Sequence, residues 1–181
     1  MPITVTLPTP QEIQGCIARF ADLARCSEGL PDMVLPESRR TFLNVLGFEQ
    51  PKADGQYSPF GDKARARVTH LKAGFGVAYV SAAPGKGVLM HAHDTVETFM
   101  CIEGRWRVDW EGVDGVDSVV LEPLDFIACP VGVQRRFECA GTAGGRPEGL
   151  LLGIIQGESP MGVYSPESVR RMVEAGALDR H

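Results

Sequence analysis

Three residues near the middle of the chain have the types and spacing to do chemistry together. The stretch "GVLMHAHDTVETFMCIEG", from Gly87 to Gly104, carries His91, His93 and, four residues further on, Glu97. In an extended strand residues i and i+2 point to the same side, so both imidazoles face one way. "DTVE" then supplies a turn that can bring Glu97 onto the neighbouring strand. Two imidazoles and a carboxylate converging from adjacent strands make a 2-His-1-carboxylate set. That set suits one divalent transition metal, Fe(II) or equally Mn(II), Zn(II) or Ni(II), with positions left open for water or substrate. An isolated His-x-His says little, because surface and core pairs at that spacing are commoner. The surrounding elements have to decide.

Those elements read as short strands. After Lys63 come "RARVTHL", "FGVAYVSAA", "VETFMCIE", "RWRVDWE", "DSVVLE", "DFIAC", "RRFEC" and "GLLLGIIQG", separated by Gly, Pro and Asp. Short alternating runs at this spacing predict an all-β sandwich or barrel rather than a parallel sheet. In "RWRVDW", Trp106, Val108 and Trp110 share one face and read as core, while Arg105, Arg107 and Asp109 share the other. Upstream, "TPQEIQGCIARFADLARC" predicts a helix near 10–25. Thr9 and Glu12 form a capping box, and Ile13, Cys16, Ile17, Phe20, Leu23 and Ala24 lie on one face. A shorter helix is expected over "PESRRTFLNVLG", stopping at Gly47, then a Pro- and Gly-rich loop from Gln50 to Gly61. "YSPESVRRMVEAGAL" reads as a closing helix capped by Ser165, begun by Pro166 and ended at Gly176. The expected division is an N-terminal helical or irregular extension (1–64), a β-barrel (65–157) and a C-terminal helix (158–181).

Composition narrows the function classes. The chain has 181 residues and a net charge of −5, with no block of Lys and Arg, so nucleic acid is not an expected partner. No apolar run reaches the roughly 18 residues needed to span a bilayer, and the N-terminus lacks a basic region followed by an apolar stretch. Five scattered cysteines without a Cys-x-x-Cys pair read as reduced, mostly buried thiols, and the expected location is the cytoplasm. No histidine is paired with a cysteine by spacing, which argues against a catalytic thiol.

Counted from Gly85, the central stretch reads G-x5-H-x-H-x3-E-x6-G, ending at Gly104. At ordinary residue frequencies these five fixed positions coincide by chance in such a chain about once in ten thousand. The pattern resembles the first signature of the cupin superfamily, complete in this sequence. "LDFIACPVGVQRRFEC" resembles the second signature: Pro130 and Gly132 match, and Asp125 and Phe137 sit where such residues usually do. It departs at its opening glycine, which is Leu124, at the fourth-ligand histidine, which is Arg135, and at the final asparagine, which is Cys139. The resemblance covers about Arg65 to Gly157. It implies an all-β core, a cupin jelly-roll β-barrel, often dimeric, with a metal between the two motif strands and helices outside it.

Arg135 divides the functional expectation. A guanidinium stays charged and cannot coordinate, and two like charges about 4 Å apart repel by about 4 kcal/mol at an effective dielectric of 20. Arg135 beside a divalent ion therefore needs an anion, from Glu97 or from a ligand. One reading is a small-molecule metalloenzyme, dioxygenase-like or a metal-dependent isomerase or lyase. In it His91, His93 and Glu97 hold the ion, and Arg135 binds an oxygen of a small organic anion. The other is a metal-free binding or sensor module for such an anion, in which Arg135 and the histidines only donate hydrogen bonds. His70 lies outside both motifs and is expected to be structural. Arg136 is expected on the outer surface. The apolar face of the N-terminal helix needs cover, from which a homodimer is expected, the alternative being that it folds back on its own barrel.

Overall fold

The computed structural model describes residues 3–47, 65–157 and 161–179. The strands in chain order are β1 (Arg25–Cys26), β2 (Thr41–Leu46), β3 (Phe75–Ala82), β4 (His91–His93), β5 (Glu97–Glu103) and β6 (Arg105–Gly112). They continue with β7 (Gly115–Leu121), β8 (Phe126–Cys129), β9 (Arg135–Gly141), β10 (Gly149–Gln156) and β11 (Gly162–Tyr164). Helices α1 (Pro10–Gly15) and α2 (Pro166–Glu174) lie near the two ends. The strands form two antiparallel sheets, one ordered β1-β2-β3-β10-β5-β8 and the other β11-β4-β9-β6-β7. Their inner faces meet in one core. Phe99 and Cys101 of the first sheet face Trp106, Phe137 and Cys139 of the second, all nearly or fully buried. Phe99 meets Phe137 edge-on at 5.0 Å between ring centroids, and Trp106 meets Phe137 at 5.9 Å. Each such side chain contributes roughly 1.5–3 kcal/mol of apolar burial, plus the preference of ring edges for ring faces.

Two antiparallel sheets around one core fit the sandwich or barrel that the strand pattern predicts and the jelly roll that the resemblance implies. The arrangement is a sandwich: among the described residues no strand pairing closes the two sheets into a barrel. Strands from both flanks of 65–157 also take part, since β2 pairs along β3 and β11 along β4.

Three local expectations are corrected. The helix near 10–25 spans only Pro10–Gly15, with the capping box at Thr9 and Glu12 in place and no residue buried. Among the described residues its apolar face stays largely uncovered, with Ile13 and Phe20 about half exposed. Beyond it the chain turns so that Leu23 and Cys26 enter the core, while Phe20 packs edge-on against Tyr79. The helix expected over 36–47 is a short 3-10 turn at Pro36–Ser38 followed by β2. A short apolar run such as "TFLNVL" suits either state, and pairing with β3, Phe42 opposite Val80 and Leu43 opposite Tyr79, selects the strand. "RARVTHL" makes only a single bridge, Val68 to Leu46. The closing helix forms as expected, with the Ser165 hydroxyl capping the Ser168 N–H and Gly176 at a φ of +72° after its end.

Two turns between these strands bear on the sequence motifs. Gly104 turns β5 into β6 at φ +80°, and a Cβ there would sit 2.6 Å from the Gly141 carbonyl oxygen. Leu124, which stands where the second motif begins with glycine, has φ +76° and is the one non-glycine at positive φ among the described residues. The left-handed turn is kept although the residue disfavours it, at about 1–2 kcal/mol. The Asp125 carboxylate, which accepts the Glu122 N–H at 2.9 Å, holds it.

Candidate metal centre

His91 and His93 stand at the two ends of β4, both toward the core, and Glu97 opens β5 after the Asp94–Val96 turn. Because β4 and β5 belong to different sheets, the carboxylate reaches the imidazoles across the sandwich. It does not come from a hydrogen-bonded neighbour, as the sequence suggested. One ligand atom from each of the three residues lies within 4.8 Å of the others. The His93 Nε2 is 3.7 Å from the Glu97 Oε2, and the two imidazoles meet edge-on at 5.0 Å.

What the imidazoles present is set by the backbone. His91 Nδ1 lies 2.8 Å from the Leu89 carbonyl oxygen and His93 Nδ1 lies 2.9 Å from that of Met161. A carbonyl only accepts, so each Nδ1 carries a hydrogen, and in the neutral ring the lone pair is then on Nε2. That is the tautomer a metal-binding histidine needs, held by the kind of outer contact such ligands usually have. Room for the His93 ring comes from Gly162, its register partner on β11, where a Cβ would sit 3.2 Å from the ring Cε1. Burial, reinforced by His93 and Arg135, pushes His91 down to about 3, so its ring is neutral at ordinary pH. Burial alone would raise Glu97. His93, Arg135 and His91, with the Arg135 hydrogen bond, outweigh it and hold the carboxyl below its usual range. Two imidazoles whose Nδ1 atoms are engaged by main-chain carbonyls and one carboxylate form a donor set suited to a divalent transition ion.

Arg135 belongs to the same site. It is the register partner of His91 on β9, so both side chains leave the sheet on one face. Its side chain is 1% exposed, and one terminal nitrogen donates to Glu97 Oε2 at 2.6 Å. The other donates weakly to the Val133 carbonyl at 3.3 Å, and Nε has no partner among the described residues. A guanidinium carries five N–H donors, so this buried cation has donors to spare. Arg136 faces the other way and pairs with Asp109 on the outer side of the sheet.

The remaining histidines lie elsewhere. His70 is exposed, with its Nε2 3.4 Å from the Cys16 thiol, a pairing across 54 positions that spacing could not show. His181 lies outside the described residues. All five cysteines are reduced, and burial raises Cys101 and Cys129 to about 11. Motif reading also missed residues that only support the site: Gly162, Tyr164 and the carbonyls of Leu89 and Met161. Their spacing from the histidines carries no pattern.

No family model matches the chain, and neither does any curated protein sequence. Solved structures do match. A cupin-superfamily sugar phosphate isomerase from Silicibacter pomeroyi DSS-3 superposes with a TM-score of 0.51 at 19% identity, over 82% of this chain and 80% of that one. An oxalate oxidase gives a TM-score of 0.51 at 14% identity, over 99% and 84%. The Lactobacillus farciminis oxalate decarboxylase in its formate complex gives 0.52 at 10% identity, over 83% of this chain. The chain spans about a third of that decarboxylase and of hazelnut vicilin, 36% and 35%. No helix among the described residues is long and apolar enough to cross a membrane. At these identities the likeness is one of fold, and the chain has the cupin jelly-roll fold.

Proposed function

We propose that this protein is a metal-dependent enzyme acting on a small organic anion. His91, His93 and Glu97 would hold one divalent transition ion, and Arg135 would receive the anion. The observation that carries this reading is the pinning of both Nδ1 atoms to main-chain carbonyls, which leaves both Nε2 lone pairs beside Glu97. A bound ion would supply a Lewis-acid centre or, if iron, a centre for oxygen chemistry.

The protein's own groups account for the choice of an anion. Without an ion, Glu97 and Arg135 neutralise each other and His91 is uncharged. Adding a divalent ion leaves a double positive charge in a mostly buried site, which an anionic ligand offsets. The unpartnered Nε, beside the Nη2 that holds Glu97, leaves Arg135 a charged donor that a carboxylate or phosphate oxygen can accept. His91, neutral and locked, does not compete for that anion. Burial of the Arg135 side chain limits how far water screens the contact.

A second reading draws on the 2.6 Å contact between Arg135 and Glu97. If that pair persists, the site binds organic anions without metal. Metal analysis of protein purified without chelator, followed by titration with oxalate, pyruvate and glucose 6-phosphate before and after chelation, separates the two. The enzyme reading expects close to one transition ion per chain and anion binding that weakens on chelation, as the ion's positive charge is removed. Absence of metal, with anion affinity indifferent to added ions, would replace it with the binding module.

A further inference from the structure

The short stretch that leads into β4 is held from a part of the chain far from both motifs. Asp32, in a 3-10 turn at Pro31–Val34, and Arg40, just before β2, have no exposed side-chain surface. They make a two-pronged pair, Arg40 Nη1 to Asp32 Oδ2 at 2.9 Å and Nη2 to Oδ1 at 3.0 Å. The same carboxylate accepts the Leu89 N–H at 3.3 Å and the Tyr164 hydroxyl at 3.0 Å. Arg40 Nη1 also donates to the Gly87 carbonyl at 3.1 Å, and the Gly87 N–H reaches the Glu37 carbonyl at 3.0 Å. Along an extended strand the N–H and C=O of residues 87 and 89 point one way. Asp32 and Arg40 thus stand in for a missing neighbour strand, one supplying the acceptor and the other the donor. On the opposite side, the Val88 N–H bonds to the Phe137 carbonyl of β9.

The consequence falls on a metal ligand. The Leu89 peptide whose N–H is held by Asp32 is followed by the Leu89 carbonyl that accepts from His91 Nδ1. Tyr164, the register partner of His91, is anchored by the same Asp32 with its ring 6.1 Å from the imidazole. We propose that Asp32, backed by Arg40, is a positioning residue for His91. Through Leu89 it fixes the tautomer and direction of the imidazole and makes residues 32–40 part of the metal centre. A buried ion pair is a weak source of stability, since well-packed apolar residues often replace it at no loss. The four bonds gathered on Asp32 instead specify where one peptide and one ring must lie. The proposal rests on the reading of His91, His93 and Glu97 as ligands, and its test has one part that needs no metal.

Asp32→Leu combined with Arg40→Met removes both charges and the acceptor of the Leu89 N–H together, so no unpaired charge is left buried. In the chelated protein, nitrogen NMR of the His91 ring reports the tautomer. The wild type should show a single form with hydrogen on Nδ1, and the double variant a mixture. Cobalt titration followed by visible absorption should show affinity lowered by about 10–100-fold, the usual effect of losing an outer contact to a ligand, with an altered spectrum. A folded variant with lower melting temperature but the same tautomer and cobalt affinity would overturn the proposal. If the double variant does not fold, Tyr164→Phe removes one bond to Asp32, and it should move both readouts the same way by a smaller factor; no movement there overturns it as well. Wild-type protein that binds no cobalt while the tautomer still shifts in the variant refutes the metal reading and upholds the positioning.

Discussion

Replacing Arg135 by methionine, similar in length but uncharged, tests the balance at the centre of the site. In the metal-free protein the Arg135 guanidinium, 1% exposed, donates to Glu97 Oε2 at 2.6 Å. Breaking a buried pair by removing one partner costs about 3–5 kcal/mol. Glu97 is 14% exposed, so water reaches it and the lower end, about 3 kcal/mol, is expected. The same quantity appears with opposite sign in metal binding, because the ion no longer competes with the guanidinium for the carboxylate. About 3 kcal/mol corresponds to roughly two decades in affinity. Arg135→Met should therefore lose stability in urea when chelated, yet bind Zn(II) about a hundredfold more tightly in competition with a chromophoric chelator. Binding of oxalate or pyruvate to the zinc-loaded protein should weaken by one to two decades, the value of a charge-assisted hydrogen bond of about 1.5–3 kcal/mol. Unchanged or weaker zinc affinity, together with unchanged anion affinity, would show that Arg135 neither opposes the ion nor anchors the ligand.

Four further outcomes are expected. His91→Ala, His93→Ala and Glu97→Ala should each lower metal affinity by more than about a hundredfold, whereas His70→Ala should leave metal content unchanged; equal loss at His70 would show that the coordination sphere is misassigned. Gly162→Ala places a Cβ 3.2 Å from His93 Cε1 and should weaken metal binding about tenfold, with little change in urea stability because residue 162 is exposed; unaltered affinity would refute the role given to that glycine. Lowering pH should destabilise the chelated protein. The unfolded chain protonates His91 near its ordinary 6.5 and the folded one only near 3, so stability falls as pH drops through that window, and Glu97, held below its ordinary 4.5, acts in the same sense; urea midpoints that stay constant from about pH 7.5 to about pH 4 would contradict this. Leu124→Gly should raise stability by about 0.5–1 kcal/mol, since relief of about 1–2 kcal/mol at φ +76° exceeds the added chain entropy and Leu124 is largely exposed; a lower urea midpoint would refute it.

The sequence alone determined what depends on short-range periodicity. His91, His93 and Glu97 share a site because a strand repeats every two residues and a short turn follows, both of which a reader of the chain can count. The alternation in "RWRVDW" likewise announced Trp106 and Val108 as core, and Ser165, Pro166 and Gly176 marked the last helix. The second motif told where Arg135 would lie, because Pro130 and Gly132 fix the register of the strand that follows. Tertiary structure decided everything that needed a distant partner. Residues 41–46 carry no period that separates helix from strand, and only pairing with β3 makes them a strand. The helix begun at Pro10 stops at Gly15 with none of its residues buried, a boundary that its apolar spacing does not reveal. Glu97 comes from the opposite sheet, a consequence of how the sandwich closes. Asp32 and Arg40 are ordinary charged residues in the chain, and only folding, by excluding water and bringing them to Gly87 and Leu89, turns them into the support beneath His91.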